Sequence, residues 1–275
     1  MSNRYKIIIP CYNEDKVISL TLTSLINQTI KPSQVIVVDD GSTDDSVKKI
    51  EEYSKKYSFI KLVKKESSKE GRLPGSKVIE AFYYGMDFID GEYDYISKLD
   101  ADIILPTNYY ERLLKFFSGD NAIGMAGGVL QIENNMGSWE DEGKVNSNHL
   151  RGAIKTYSKT CFEKIGGIKK SIGWDTIDVI LAKHYGFKVF IDKSLKVKLL
   201  YPTGKRYQSE HAKKIGIGMY KMRYTFFIAF ISCMKAGWVR KNFQFFFNSF
   251  YKGFIRSLFN KETFSVTEEE GQIIR

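Results

Sequence analysis

The sequence predicts an α/β protein with an open, mostly parallel central sheet and a C-terminal helical, amphipathic segment. Three observations carry this. Short apolar or β-rich runs recur along the first two thirds of the chain. Between them lie stretches with helical periodicity, at spacings that suit right-handed crossovers. Near Thr203 to Tyr207 the composition then shifts, dividing the chain into residues 1–205, read as the main α/β domain, and 206–275, read as a basic, aromatic-rich helical segment.

Tyr5 to Ile9 is a β-type run ended by Pro10. From Glu14 onward, Ile18, Leu22, Leu25 and Ile26 fall on one helical face, and Lys31 and Pro32 close the segment. Val35 to Val38 is continuously apolar, the pattern of a strand buried on both faces of a parallel sheet. Gly41, Ser42 and Thr43 form a turn and helix start, and the charged helix that follows reaches about Lys56. Phe59 to Val63 is a third strand. A polar loop from Glu66 to Gly75 precedes a helix through Ala81 and Met86, and Tyr93 to Leu99 is a fourth strand ending on Asp100-Ala101-Asp102. Open parallel sheets bind ligands beyond the carboxyl ends of their strands. Cys11 to Glu14, Asp39 with Asp40, and Asp100 to Asp102 are therefore expected to converge.

The chain has 275 residues, 43% of them apolar, which is enough for one sizeable domain and an appendage. Its three cysteines are scattered, which fits a reducing compartment better than a disulfide framework. Met1 to Pro10 carries no signal-peptide pattern, and the longest nearly apolar run, Tyr224 to Met234, falls well short of the roughly 20 residues a membrane span needs. The net charge of +10 lies wholly between His211 and Lys261. That segment has ten Lys or Arg, no Asp or Glu, and fourteen aromatic residues, while the remainder is formally neutral. Cations interleaved with rings suit an anionic bilayer surface. Phe243, Phe246, Phe247, Phe250, Phe254 and Leu258 are expected on one helical stripe, with Phe245 as the exception. Such a stripe serves either packing on the protein's own core or membrane contact. The expected location is cytoplasmic, attached peripherally to the inner face of the membrane. The tail with Glu268, Glu269 and Glu270 reads as a frayed acidic end.

Asp100-Ala101-Asp102 offers two carboxylates at a strand end, either an ordinary acidic turn or oxygen ligands for Mg²⁺ or Mn²⁺. Asp39 either serves turn chemistry or accepts hydrogen bonds from a base or ribose. Ile7-Ile8-Ile9-Pro10-Cys11-Tyr12-Asn13-Glu14, followed by Val37-Val38-Asp39-Asp40-Gly41-Ser42-Thr43-Asp44 and then Asp100-Ala101-Asp102, resembles the family 2 glycosyltransferases over roughly residues 4 to 200.

The resemblance implies a GT-A fold, Rossmann-like with a mostly parallel central sheet, and inverting transfer from a nucleoside diphosphate sugar. It also implies that Pro10, Tyr12 and Glu14 line the nucleotide pocket, that Asp39 bonds the base, most often uracil, and that Arg72 lies near the base or diphosphate. Asp100, with Ala101 beside it, would face the ribose or sugar, and Asp102 would ligate the metal. The family's base is the Asp of a Glu-Asp pair about eleven residues before a Gly-aromatic-Lys strand start. Here Gly186-Phe187-Lys188 marks that start and Asp175 falls at the spacing, with Trp174 in place of Glu. Asp178 is either a second base candidate or a helix charge, and Trp174 either an acceptor platform or core.

His149, His184 and His211 are isolated in sequence and read as structural or solvent-facing. The acceptor expected is a saccharide or lipid-linked saccharide. A polyprenyl-phosphate sugar transferase shares the N-terminal motifs but needs no general base. A noncatalytic sugar-nucleotide binder would lack the metal carboxylate or the base. The basic pI of about 9.2 also suits a nucleic-acid-binding protein, but the cations accompany an apolar stripe rather than a groove, so no nucleic acid partner is expected.

Overall fold

A computed structural model of the protein describes residues 4–66, 76–142, 150–201 and 208–275. The chain order is β1 (Tyr5–Cys11), α1 (Ile18–Ile26), β2 (Gln34–Asp39), α2 (Ser46–Lys56), β3 (Ile60–Lys64), α3 (Ser76–Met86), β4 (Tyr95–Leu99), β5 (Ile103–Ile104) and α4 (Tyr109–Gly119). It continues with β6 (Ile123–Glu133), β7 (Trp139–Asp141), β8 (Ile154–Ser158), α5 (Lys159–Lys164), α6 (Trp174–His184) and β9 (Lys188–Leu199). The helices α7 (Gln208–Lys221), α8 (Phe226–Val239), α9 (Phe243–Ser249), α10 (Arg256–Phe259) and α11 (Glu268–Ile274) complete it, with a π-helical stretch, Phe250–Ile255, joining α9 to α10.

One sheet runs in the order β3-β2-β1-β4-β8-β6-β9-β5, with β7 on the side of β6. β3, β2, β1 and β4 are mutually parallel; β8 then enters antiparallel, and β6 and β9 pair parallel to each other. The strand β1 extends past Ile9 to include Pro10, which pairs with Val38. The ladder from β1 to β4 has already stopped at Ile8, so a residue without an N–H is tolerated there.

The apolar runs are continuous because both faces are covered. Ile7, Ile9, Val35 and Val37 enter one core with Leu22 and Leu113, while Ile8, Ile36 and Val38 enter another with Phe82 and Leu181. Alternate side chains of a strand point to opposite faces, so a polar residue anywhere in Ile7–Ile9 or Val35–Val38 would be stranded in one core or the other. All three cysteines are free and buried.

The C-terminal helices differ in detail from the sequence expectation. Phe246, Phe250 and Phe254 are buried in a third cluster with Tyr220, Ala229 and Cys233. Their rings stack in series, Phe246 on Phe250 at 5.8 Å and Phe250 on Phe254 at 6.0 Å. Phe243, Phe247 and Leu258 remain exposed, and Phe245 is buried, under the Arg240 guanidinium at 4.4 Å. The expected single stripe is therefore split. Gly237 on α8 explains part of this, since a Cβ there would lie 2.9 Å from that of Phe246. The acidic tail is not frayed: α11 starts with a capping box between Thr267 and Glu270, and Glu270 reaches Lys169 at 2.5 Å. Val266 and Met222 join the second core, with Ile273 and Ile274 packed against it.

Candidate active site

Three neighbouring strands, β2, β1 and β4, deliver their carboxyl ends to one edge of the sheet, so the polar residues that follow them meet there. Cys11 and Asp39 are direct partners in the ladder. After β1 the chain turns through Asn13, whose φ of 54° lies in the left-handed region. The two loops are laced together: the Asn13 and Glu14 amides donate to the Ser42 and Ser46 hydroxyls at 3.0 and 2.8 Å, and Thr43 N donates to Asn13 Oδ1 at 2.8 Å. Pro10 and Tyr12 are half-buried beside this lacing and Glu14 is buried.

The two aspartates of the second loop divide their tasks. Asp39 is buried, and its carboxylate accepts from the Gly41 and Ser42 amides at 3.3 and 3.1 Å, the turn chemistry foreseen as one of its two readings. A carboxylate has about four acceptor positions, so the turn does not exhaust it. Asp40 is held by Lys65 at 2.7 Å. Arg72 lies outside the described residues, as does His149.

Asp100 pairs with Lys98, which is itself 2% exposed. Ala101 is buried, and its carbonyl accepts from Thr21 Oγ1 at 2.6 Å, which pins the turn to α1. Asp102 is half-buried. Burial first, then the charges of Asp100 and Glu14, push its carboxyl up to about 7. Glu14 from the first loop and Asp100 and Asp102 from the third are thus within electrostatic reach of one another. Among the described residues no group of three or more His, Cys, Asp or Glu side chains is placed to hold a metal ion. Mg²⁺ and Mn²⁺ fit nevertheless, because such ions commonly take one or two protein carboxylates and fill the rest of the shell with water and phosphate. A partly desolvated carboxyl crowded by others of its sign is what a divalent cation would relieve.

Asp175 reaches the same edge by a different route. β8 runs antiparallel to β4, with Ile154 opposite Leu99, so residues 151–153 lie at the carboxyl end of β4. The Asp100 amide donates to Ala153 O at 3.0 Å. On the other side of this stretch, a Cβ at Gly152 would fall 2.7 Å from the Trp174 ring and 3.1 Å from Asp175 Cβ. The aspartates at 100 and 175 therefore flank one three-residue segment, and only glycine at 152 permits the approach. Asp175 is half-buried in the first turn of α6; the N-cap is Gly173, so Asp175 is not a capping residue.

Asp178 and Trp174 are settled by burial. Asp178 is fully buried, receiving Lys155 Nζ at 2.6 Å and the Tyr157 hydroxyl at 2.5 Å, and no face of it is left for an acceptor. Trp174 is core, with the Lys98 and Lys155 ammonium groups 5.4 and 5.3 Å from its ring.

Lys98 and Lys155 are the residues that motif reading missed. They are direct cross-strand partners, both buried. Lys98 holds Asp100, while Lys155 holds Asp178 and the backbone carbonyl of Asp175 at 2.6 Å. The available signal was a lysine in the interior of a strand, in Tyr95-Ile96-Ser97-Lys98-Leu99 and Ile154-Lys155-Thr156-Tyr157. A buried lysine implies a buried partner.

Residues 6–171 match the model of Glycosyl transferase family 2. A cholesterol galactosyltransferase of Borreliella burgdorferi is 36% identical over 122 residues, covering 44% of this chain and 31% of the relative. A poly(ribitol-phosphate) beta-glucosyltransferase of Bacillus spizizenii is 33% identical over 138 residues, covering 49% of this chain and 20% of the relative. The matches thus span a third or less of those two proteins. Among solved structures, Staphylococcus aureus TarS 1–349 in complex with UDP-GlcNAc superposes with a TM-score of 0.60 at 16% identity, covering 81% of this chain and 67% of that one. The Pyrobaculum calidifontis mannosyltransferase PcManGT, in complex with GDP-Man and Mn²⁺, gives 0.59 at 15% identity, covering 84% and 64%. At such identities the likeness is one of fold, and the fold is the expected GT-A arrangement.

Proposed function

The chain belongs to glycosyl transferase family 2, and on that premise we propose that it is an inverting, metal-dependent glycosyltransferase. It would move a sugar from a nucleoside diphosphate sugar, taken to be UDP-linked, to an acceptor hydroxyl. The acceptor is read as a saccharide, lipid-linked and met by an enzyme attached peripherally to the inner face of the membrane. What supports the reading above all is the meeting of Glu14, Asp100 and Asp102 at one sheet edge, with Asp175 across residues 151–153.

In this reading Pro10, Tyr12, Glu14 and Asp39 line the nucleotide pocket, with Arg72 assigned to the base or diphosphate. Asp100 and Ala101 position the sugar side. Asp102 would hold Mg²⁺ or Mn²⁺, which, when bound, supplies Lewis-acid stabilisation of the departing diphosphate. Asp175 takes the proton of the attacking hydroxyl as the acceptor oxygen bonds to the anomeric carbon from the face opposite the leaving group. One displacement inverts the configuration. Lys155 keeps the backbone at Asp175 in place, and Lys98 holds Asp100.

The test is a panel of UDP- and GDP-sugars assayed for hydrolysis and transfer with Mn²⁺, Mg²⁺ or chelator. Metal-dependent turnover of a UDP-sugar, lost in Asp102→Ala, is the expected result. Failure of every nucleotide sugar to bind or turn over with either metal would overturn the reading.

A further inference from the structure

The third core cluster turns α8 inside out. Its small residues, Ala229, Cys233 and Gly237, face the protein, whereas Phe227, Ile231, Met234 and Trp238 face outward. The outward four recur every three or four residues and so form one stripe along the helix. Phe227 is 75% exposed and Trp238 is 85% exposed, among the largest values for any apolar side chain described. Phe243, at the start of α9, is 79% exposed as well. Monomeric proteins rarely leave contiguous large apolar surface uncovered without a partner for it.

We infer that this outward face of α8 inserts into an anionic lipid bilayer. Charge selects the occupant. From Phe226 to Lys261 the chain holds Lys235, Arg240, Lys241, Lys252, Arg256 and Lys261, all exposed, and no acid. A second copy of this chain docked through the same patch would bring like charges face to face, because a twofold interface pairs each patch with itself. A bilayer carrying anionic headgroups complements the cations and accepts the rings at once. No helix of the described residues is long and apolar enough to cross a membrane, so α8 lies in the interface rather than spanning it.

The inference deepens the membrane part of the proposed function and rests on it, not on the transfer chemistry. The same helical unit clamps the start of α6. Gly218 of α7 closes on Ile172, where a Cβ would meet the Ile172 carbonyl oxygen at 3.0 Å, and Met222 lies over Gly173, two residues before Asp175. Insertion of α8 therefore fixes the height of the proposed base above the lipid surface, as a lipid-linked acceptor requires.

Trp238 supplies its own reporter. The full chain is mixed with phosphatidylcholine vesicles containing none or about 30 mol% phosphatidylglycerol, with and without brominated acyl chains. The expected result is a blue shift of tryptophan emission with quenching by bromine, strongest with the anionic vesicles and lost in Trp238→Phe. A triple variant, Phe227→Ser with Ile231→Ser and Met234→Ser, changes only exposed positions. It should partition at least tenfold more weakly while retaining its circular dichroism. Some wild-type binding should persist at about 0.5 M salt, where surface charge is screened.

Four results would overturn insertion: no binding to anionic vesicles, binding abolished completely by salt, quenching unchanged in Trp238→Phe, or self-association that the triple variant abolishes. Nucleotide-sugar hydrolysis measured without lipid in the same samples separates failure here from failure of the catalytic reading.

Discussion

Asp102 shares its site with two carboxylates of the same sign, and that fact has a measurable consequence. Its folded carboxyl keeps the proton to about pH 7, whereas an unfolded aspartate releases it near about 4. The folded state therefore binds more protons across that window, and the stability of metal-free protein falls as pH rises through 7. After allowance for partial solvent access, this amounts to about 1–2 kcal/mol, at about 2–4 °C of melting temperature per kcal/mol. Thermal scans at pH 5 and pH 8 should show most of the drop, Asp102→Asn should flatten it, and Mn²⁺ should restore the melting point at pH 8. Asp175→Asn should leave donor affinity intact and cut turnover by roughly 10² or more, the scale of a positioned base. Calorimetry with the nucleotide sugar and a transfer assay check the two halves, and near-normal turnover would remove Asp175 from the role. Asp178, three residues along the same helix, behaves differently. Asp178→Asn strands the Lys155 ammonium in a dry interior, an expense of about 3–5 kcal/mol, to be read as a fall in denaturation midpoint rather than as a pure loss of turnover.

At the scale of elements, the C-terminal helices are positioned by close backbone approach as much as by rings. A Cβ at Gly216 on α7 would lie 1.7 Å from Ser249 O, and one at Gly253 would lie 2.5 Å from Lys213 O. Side chains cannot be squeezed in without moving one helix off the other, so Gly216→Val should separate α7 from the π-helical stretch. Overpacking of this kind costs about 1–3 kcal/mol or more. The expected signature is selective: exposure of the aromatic cluster to a hydrophobic dye before the sheet unfolds, with metal-dependent donor hydrolysis persisting at temperatures where the dye already binds. Simultaneous loss of both would show that the helical unit has no separate stability.

For the whole molecule, the composition shift near residues 203–207 is not a line along which contacts cease. Met222 and Val266 enter the core beneath α3 and α6, the Arg223 guanidinium lies 3.9 Å over Phe264 and donates to Val266 O, and Glu270 binds Lys169. A chain truncated after Lys261 should therefore lose melting temperature and turnover together, by uncovering the flank of the helix that carries Asp175. Unchanged melting and turnover in that truncation would make α11 dispensable.

The sheet and its acidic edge were legible in the primary structure because local physics suffices there. Val35 to Val38 must be buried on both faces whatever surrounds it, and polar residues after such runs must gather at one edge. The gathering of Cys11 to Glu14, Asp39 with Asp40, and Asp100 to Asp102 follows from that. The position of Asp175 ahead of Gly186 came from the family resemblance rather than from local physics. What required the folded chain were outcomes decided by neighbours remote in sequence. Periodicity places Phe243, Phe246, Phe247, Phe250, Phe254 and Leu258 on one stripe, but it carries no information about which side of the helix meets Ala229, Cys233 and Gly237. Likewise, Asp175 and Asp178 are chemically equivalent in the sequence; only the arrival of Lys155 and Tyr157 from β8 seals one of them and leaves the other at the edge. Sequence by itself determined the fold class, the family and the acidic rim. Tertiary structure decided which carboxylate is sealed and which aromatic face looks outward, because burial belongs to the packed arrangement rather than to any single segment.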